Sequence, residues 1–558
     1  MAAQSPRSPA SAPAGADAGG GRALNAATVL PASAAARPGI DAPTVRRPAL
    51  SAWQALERGI DRWTGAALNP LHHVGSMAFL CFWTLAASGI YLYAVIDTSA
   101  AGAHTSIERL AAWPWFYGGW LRSVHRYAAD AFVVLMGLHV LREWLHGRFR
   151  AHHRFSWLTG VPLIVFAFVC AIGGFWLNWD ELGQYSALAT AEWLDSLPGL
   201  TTPLARNFLS PDTVGDRLFS LFVFVHLGVA LWMAFGLWFH IQRLPRARVV
   251  PPRPLSLGLL AMFVGLAAVA PVVSGPAADM TRVPAALRLD WLLLFVHPMA
   301  DSLSGGLAWL VVGGALALLL WLPFMPHRSA AAPAARVDPE HCSGCRRCVD
   351  DCPYAAIHMV AHPSGKTGHE LAVVDADRCA RCGICAGACP SATPFRSVAD
   401  LQSGIDMPQL PVNTLRQQLR QRLLDAPAAQ PIVVFRCVHA PMPASLRAAD
   451  VVNVELLCAG QLPPAFVEYA LRDGAAGVLI QACAPGHCAF RDGATVLHER
   501  LHGAREPHLR PAVPRERWAM VRADAPDAPA LESILERWRD PPAARTRAHT
   551  PTAHELPS

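Results

Sequence analysis

The sequence predicts a multi-domain chain: an all-α transmembrane four-helix bundle with two further spans, then an α+β cysteine-rich region, then a small α/β domain. Three observations predict it. Six apolar segments fall between residues 74 and 325, each long enough for a hydrocarbon core of about 30 Å. Two of them carry histidines fourteen residues apart, His125 with His139 and His226 with His240. Twelve of the fourteen cysteines begin only at Cys342, beyond the last apolar segment.

Composition agrees with that division. Apolar residues make up 53% of 558, and the 18 tryptophans go with the long hydrophobic segments. The net charge of +6 is small and gathers at segment ends, where it reports membrane topology. No nucleic-acid-binding motif is visible, so no nucleic-acid partner is expected. Cys81 and Cys170 lie in apolar segments and read as helix packing. The later cysteines suit metal clusters in a reducing compartment better than a secreted disulfide scaffold.

Residues 1–52 are rich in Ala, Pro, Gly and Ser without a secretory apolar core, and are expected to form a disordered cytoplasmic tail. A short amphipathic helix is expected at the interface from Trp53 to Thr64. The membrane domain, 53–328, then holds spans at Val74 to Val95, 120–143, 156–178, 213–242, 257–274 and 304–325. Arg148, Arg150 and Arg154 follow the second span, and Arg243, Arg246, Arg248 and Arg253 follow the fourth. Cytoplasmic basic loops put both termini and the cysteine-rich region in the cytoplasm, across a bacterial inner membrane.

Fourteen residues leave two helical side chains about 40° from eclipsed and roughly 21 Å apart along the axis. Two helices with that spacing, side by side, can hold one metal centre near each membrane face. Imidazole is a preferred axial ligand of porphyrin iron, and polar groups are costly in hydrocarbon. The four histidines therefore read as ligands of two haems, in a four-helix haem bundle; ordinary polar contacts within the bundle are the competing reading. His125 and His226 would take the outer haem, and His139 and His240 the cytoplasmic-side one. Gly75 with Gly89, and Gly160 with Gly174, repeat the spacing and would leave room for the porphyrins; generic small-residue helix packing is the alternative. Arg122 and Arg142 are candidates for the haem propionates or for interfacial snorkelling.

The segments RSVHRYAADAFVVLMGLHVLR and FVFVHLGVALWMAFGLWFH carry these pairs. Over residues 54–326 the chain resembles the cytochrome b family of quinol-oxidising bc and b6f complexes. GGFWLNWDELGQYSA resembles the end of that family's third helix, with Asn178 where proline is usual. LRLDWLLLFVHPMADSLSGGLAWL resembles its Pro-Glu-Trp-Tyr loop and following helix, here Leu289, Asp290, Trp291 and Leu292. In the family that loop borders the outer quinol site. The resemblance implies haem b and quinone, and makes Asp290 the candidate for exchanging the quinone's proton; the polar end of an interfacial helix is the other reading.

Beyond an Ala/Pro linker at 329–337, region 338–395 contains C-x2-C-x2-C-x3-C-P twice: Cys342, Cys345, Cys348, Cys352, then Cys379, Cys382, Cys385, Cys389. That repeat signals two 4Fe-4S clusters in a bacterial-type ferredoxin arrangement. The fourth cysteine of each run is expected to cross over, Cys389 joining the first three and Cys352 joining Cys379, Cys382 and Cys385.

A connector, 396–429, carries an amphipathic helix from Asn413 to Leu424. Region 430–540 alternates PIVVF, VVNVELL and AAGVLIQA with helical stretches around 464–472 and 493–504, the pattern of a mainly parallel α/β sheet. Cys437, Cys458, Cys483 and Cys488 follow the strand ends, where open α/β sheets assemble their sites. The residues alone leave a 2Fe-2S cluster, zinc or separately buried thiols open. His487 is a loop residue or an accessory ligand. Residues 430–525, with FRCVHA and LLCAGQLPPAFVEYALRDGAAGVLIQACAPGHC, resemble the delta subunit of methyl-viologen-reducing hydrogenases, which implies one 2Fe-2S cluster. Ala440 stands where that family often has a second cysteine of a C-x2-C pair. Residues 541–558 read as a disordered tail.

The expected function is that of a membrane electron-transfer subunit between a soluble cytoplasmic oxidoreductase and membrane quinone. The partner would be hydrogenase-like or heterodisulfide-reductase-like, with the distal domain docking it. The centres are expected in a line: distal 2Fe-2S, two 4Fe-4S, two b haems. A homodimer through the membrane domain is a further expectation. No nicotinamide or flavin fingerprint is present. A redox-sensing or assembly protein is the alternative, although no output domain is visible.

Overall fold

The computed structural model describes residues 46–113, 118–197, 209–243, 247–283, 286–325, 332–365, 368–392, 401–483, 488–522 and 528–539, with single positions 199, 203 and 207. The expected tails up to residue 45 and from 541, together with Arg246 and His487, lie outside these.

Helix α1 (Arg46–Thr64) starts at Arg46 instead of Trp53. It buries Leu50, Trp53 and Glu57 on one face, and Leu50 and Trp53 pack with Leu145. The Trp53 indole donates to Glu57 Oε1 at 2.8 Å, which completes that face. Next come α2 (Val74–Val95), α3 (Ala103–Ala111), α4 (Leu121–Leu145), α5 (Arg154–Asn178), α6 (Glu181–Asp195) and α7 (Asp216–Ile241). Helices α2, α4, α5 and α7 are long and apolar enough to cross a membrane. They share a core that includes Cys81, Ala128, Phe132, Ala167 and Met233.

Helices α3 and α6 lie in the long connections between apolar segments, 96–119 and 179–212. Asp180 starts α6 by accepting the Gly183 N–H at 2.9 Å on one carboxylate oxygen, while its other oxygen accepts the Gly275 N–H. This is an N-cap that also ties down a distant loop.

Two more apolar helices follow, α8 (Arg253–Val269) and, after the short α9 (Val296–Leu303), α10 (Gly305–Trp321). With its continuing turn to Phe324, α10 is the fifth span-length helix. The expected span at 257–274 is the correction. Its helix ends at Val269 after 17 residues, roughly 26 Å of rise, because Ala270 precedes Pro271 and the residue before proline is biased away from helix. The chain then turns, and the Val272 N–H bonds Ser123 Oγ at 2.9 Å. Among the described residues there are therefore five span-length helices and one shorter apolar one.

The second half contains strands. β1 (Arg336–Val337) pairs antiparallel with β4 (Ile405–Asp406), and β2 (Ile357–Ala361) with β3 (Glu370–Val374). The linker and connector expected from sequence thus each contribute a strand to the cysteine-rich region. The short helices α11 (Arg347–Asp351) and α12 (Ile384–Ala388) each follow the first cysteines of a run. Helix α13 (Val412–Leu424) leads to a four-stranded parallel sheet in the order β6 (Val451–Leu456), β5 (Ile432–Cys437), β7 (Gly477–Ala482), β8 (Trp518–Arg522). Helices α14 (Ala465–Arg472), α15 (Gly493–Leu501) and α16 (Ala528–Arg539) complete it. One core joins Cys348, Ala386 and Ile405 to Phe435, Val454 and Leu497, so the cysteine-rich region and the sheet are packed together.

Candidate metal centres

The bundle pairs α2 with α4 and α5 with α7, and every expected glycine meets an expected histidine. A Cβ built on Gly75 would stand 3.2 Å from the His139 ring, and one on Gly89 3.2 Å from His125. Gly160 and Gly174 stand in the same relation to His240 and His226, at 3.1 and 3.3 Å. The group nearest to each glycine in this structure is an imidazole.

The rings are oriented by their Nδ1 atoms. His125 Nδ1 is 2.9 Å from Ser88 Oγ, His226 Nδ1 is 2.8 Å from the Cys170 carbonyl, and His240 Nδ1 is 3.2 Å from Thr159 Oγ1. The Cys170 carbonyl can only accept, which puts the proton on His226 Nδ1 and leaves its Nε2 lone pair free, as a metal-binding histidine needs. The Ser88 and Thr159 hydroxyls, which donate to the Thr84 and Phe155 carbonyls, can accept from Nδ1 in the same way. His139 and His240 face each other with ring centres 6.5 Å apart and planes at 81°. A metal held between them by two imidazole bonds of roughly 2 Å each, plus the offset of each nitrogen from its ring centre, would span about that separation. His125 and His226 lie within electrostatic range of each other.

The candidate propionate arginines sit at the two ends. Arg122 bonds Asn178 Oδ1 at 3.2 Å and Ser274 Oγ at 2.7 Å, and pairs with Glu108 at 3.3 Å. Buried Arg142 gives its Nε–H to fully buried Glu57 at 2.9 Å. Neither guanidinium simply snorkels into water.

The eight cysteines form two quartets across the runs. Cys342, Cys345, Cys348 and Cys389 line one recess of about 320 Å³. Cys352, Cys379, Cys382 and Cys385 line another of about 330 Å³. Burial pushes the Cys348 and Cys382 thiols up to about 12, so ionising them here requires a cationic centre. Among the described residues no three His, Cys, Asp or Glu donors close around a single point.

The distal cysteines also converge. Cys437 ends β5 and lies 3.5 Å from Cys483, just beyond β7. Cys488 is hydrogen-bonded by the thiols of Cys458 and Cys483, which holds its own thiol well below the ordinary value. Gly493 makes room: a Cβ there would stand 2.1 Å from Cys458 Sγ.

Asp290 is more constrained than its sequence suggests. One oxygen accepts the N–H groups of Leu292 and Leu293 at 3.0 and 2.8 Å, and the other pairs with Arg126, which also pairs with Asp130. Sequence reasoning missed His297, 1% exposed, whose Nε2 lies 2.9 Å from Ser186 Oγ beside Tyr185. It sits in the short helix α9, with no repeated spacing to reveal it.

Three family models match successive regions of the chain. Cytochrome b/b6/petB matches residues 60–245, the 4Fe-4S dicluster domain 341–393, and the delta subunit of methyl-viologen-reducing hydrogenase 440–540. A solved structure titled hyperthermophilic respiratory Complex III is similar at 19% identity, over 47% of this chain and 76% of that one, with a TM-score of 0.38. The chain therefore joins a cytochrome b region, a dicluster region and a hydrogenase-delta-like region in that order. The first implies haem b, the second 4Fe-4S clusters, and the five long apolar helices a multi-pass membrane protein.

Proposed function

We propose that the chain is the membrane electron-transfer subunit of a larger oxidoreductase complex, carrying electrons between a cytoplasmic partner and the quinone pool. The observation that carries this reading is the His139–His240 pair, with facing rings at a separation suited to one shared iron. His139 with His240, and His125 with His226, would each hold one haem b. Cys342, Cys345, Cys348 and Cys389 would hold one 4Fe-4S cluster, Cys352, Cys379, Cys382 and Cys385 the other, and Cys437, Cys458, Cys483 and Cys488 a 2Fe-2S cluster. Bound haem and clusters supply one-electron redox chemistry.

The protein's own residues set the conditions. Ser88, the Cys170 carbonyl and Thr159 fix three imidazoles through Nδ1. Arg122 and Arg142 bring positive charge to the two ends, where propionates would lie. At the outer face Asp290 would exchange a proton with quinone. Arg126 already holds both Asp290 and Asp130, so it can remain paired with Asp130 when Asp290 is protonated. The termini and cysteine-rich regions would face the cytoplasm of a bacterial inner membrane, and the distal domain would receive a hydrogenase-like or heterodisulfide-reductase-like partner.

Pyridine haemochrome assay of the purified chain tests the ligand assignment. Two haems b per chain are expected, with His139→Ala and His240→Ala each losing the same single haem. One haem or none in the parent contradicts the reading.

A further inference from the structure

The cysteine-rich half meets the helices at an aromatic side chain, Tyr354. Tyr354, two residues after Cys352, is buried and lines the recess of the second quartet. Its ring meets His152 edge-on, with centres 4.6 Å apart at 70°. His152 in turn packs on His153 at 4.0 Å. His153 lies within electrostatic range of Glu143, which also reaches His139 one helical turn earlier on α4. A file of side chains, packed from Tyr354 to His153 and within electrostatic range onward through Glu143, thus leads from the second quartet to the inner histidine pair.

The distal cysteines touch that same quartet. Cys458 packs beside Cys382 and Ile384, and Tyr354 lies within range of both Cys382 and Cys488. Arg491 donates to the Pro353 carbonyl at 3.1 Å, joining the distal region to the backbone just before Tyr354. The first quartet stands apart from this junction. It approaches the second through Cys348 and Cys385, and its Cys345 is exposed to solvent.

We propose that the Tyr354–His152 contact seats the second quartet against the inner histidine pair, making that quartet the branch point of the relay instead of one step in a line. The first quartet is then a solvent-facing arm and the distal cysteines a second arm, each reaching the membrane only through the second quartet. The inference rests on the haem and iron–sulfur reading above. With a cluster held by the second quartet and a haem by His139 and His240, the transfer would be of one electron from the reduced cluster to the oxidised haem, with no bond formed or broken and no proton moved. Tyr354 and His152 are positioning residues, acting through packing. The Tyr354 hydroxyl has no hydrogen-bond partner, so the ring is the part that matters.

The test mixes the oxidised full-length protein with titanium(III) citrate, following haem by absorbance and clusters by freeze-quench electron paramagnetic resonance. Static spectra and iron, sulfide and haem contents come first; absent clusters or haem would defeat the underlying reading and not this inference. With centres loaded, Tyr354→Ala is expected to leave cluster reduction and cluster spectra as in the parent while haem reduction lags by an order of magnitude. Tyr354→Phe is expected to match the parent. His152→Ala, which leaves the cysteine motif intact, is expected to show the same lag and serves if Tyr354→Ala does not fold. Cys345→Ser is expected to lose the first-quartet signal with no haem lag. Parent-like haem reduction in both Tyr354→Ala and His152→Ala would overturn the seating role. A haem lag in Cys345→Ser would overturn the branch.

Discussion

Gly75 and His139 meet across the α2–α4 interface so closely that a methyl group on the glycine would stand 3.2 Å from both Cε1 and Nδ1 of the ring. Backbone and imidazole are both held by helices, so neither gives way without moving the ligand.

Gly75→Ala is therefore expected to lower occupancy of the inner haem, and Gly75→Val to abolish it. The outer pair, roughly 21 Å away along the helix, should be unaffected. Gly137→Ala, where nothing lies within 4 Å, is the matched control. The haem-to-protein ratio reads the result, and a normal ratio in Gly75→Val would contradict the assigned contact.

The cysteine-rich region and the parallel-sheet region are locked by Asp351, which is clamped by buried Arg500 and by Arg505. Arg500 also donates to the carbonyls of Gly460 and Ile384 at 2.9 and 3.0 Å. Removing one partner of a buried pair costs roughly 3–5 kcal/mol. Arg500→Met should fall at the lower end because Arg505 still holds one oxygen. Arg346→Met, which breaks the exposed pair with Glu370, should cost about 0–1 kcal/mol. Denaturant midpoints of the cluster absorbance compare the two, and equal shifts would count against the buried clamp.

Asp406 gives a pH signature. Burial pushes its carboxyl up to about 6, against the opposing bonds from the Val412 and Met407 N–H groups. The folded state then binds more protons than the unfolded state between the ordinary carboxylate range, about 4, and 6. Stability from this group is present at the acid end of that window and falls as pH rises through it. Asp406→Asn should flatten that slope in the denaturant midpoint of the full chain; an unchanged slope would show that the carboxyl is not responsible.

The histidine and cysteine patterns were legible because they repeat at fixed spacing, and a periodic helix or a C-x2-C turn converts spacing directly into placement. The expected β5, β6 and β7 matched because buried parallel strands are short apolar runs bounded by turns. What was not legible depended on contacts distant in sequence. Helix α6 is started by Asp180, whose other oxygen is tied to Gly275. The early end of α8 follows from Pro271, which hydropathy ignores. The contact between Tyr354 and His152 was not legible either, since nothing in either motif encodes the other's position.

Asp290→Asn is expected to slow quinone-coupled turnover several-fold while leaving cluster reduction unchanged. The amide retains an oxygen for the Leu292 and Leu293 N–H groups, so the loop should hold while proton exchange is lost. Parent-like haem reoxidation by quinone across pH in this variant would leave Asp290 as a loop cap alone.

The most direct measurement of the proposed role is reoxidation of the fully reduced chain in lipid nanodiscs. A benzoquinone or naphthoquinone analogue is added while haem absorbance and the iron–sulfur resonance signals are followed together. The account predicts that one of these quinones reoxidises haem first and that the cluster signals then decay through it, with His139→Ala blocking the decay. Haem and clusters that both stay reduced in the presence of either quinone would contradict it.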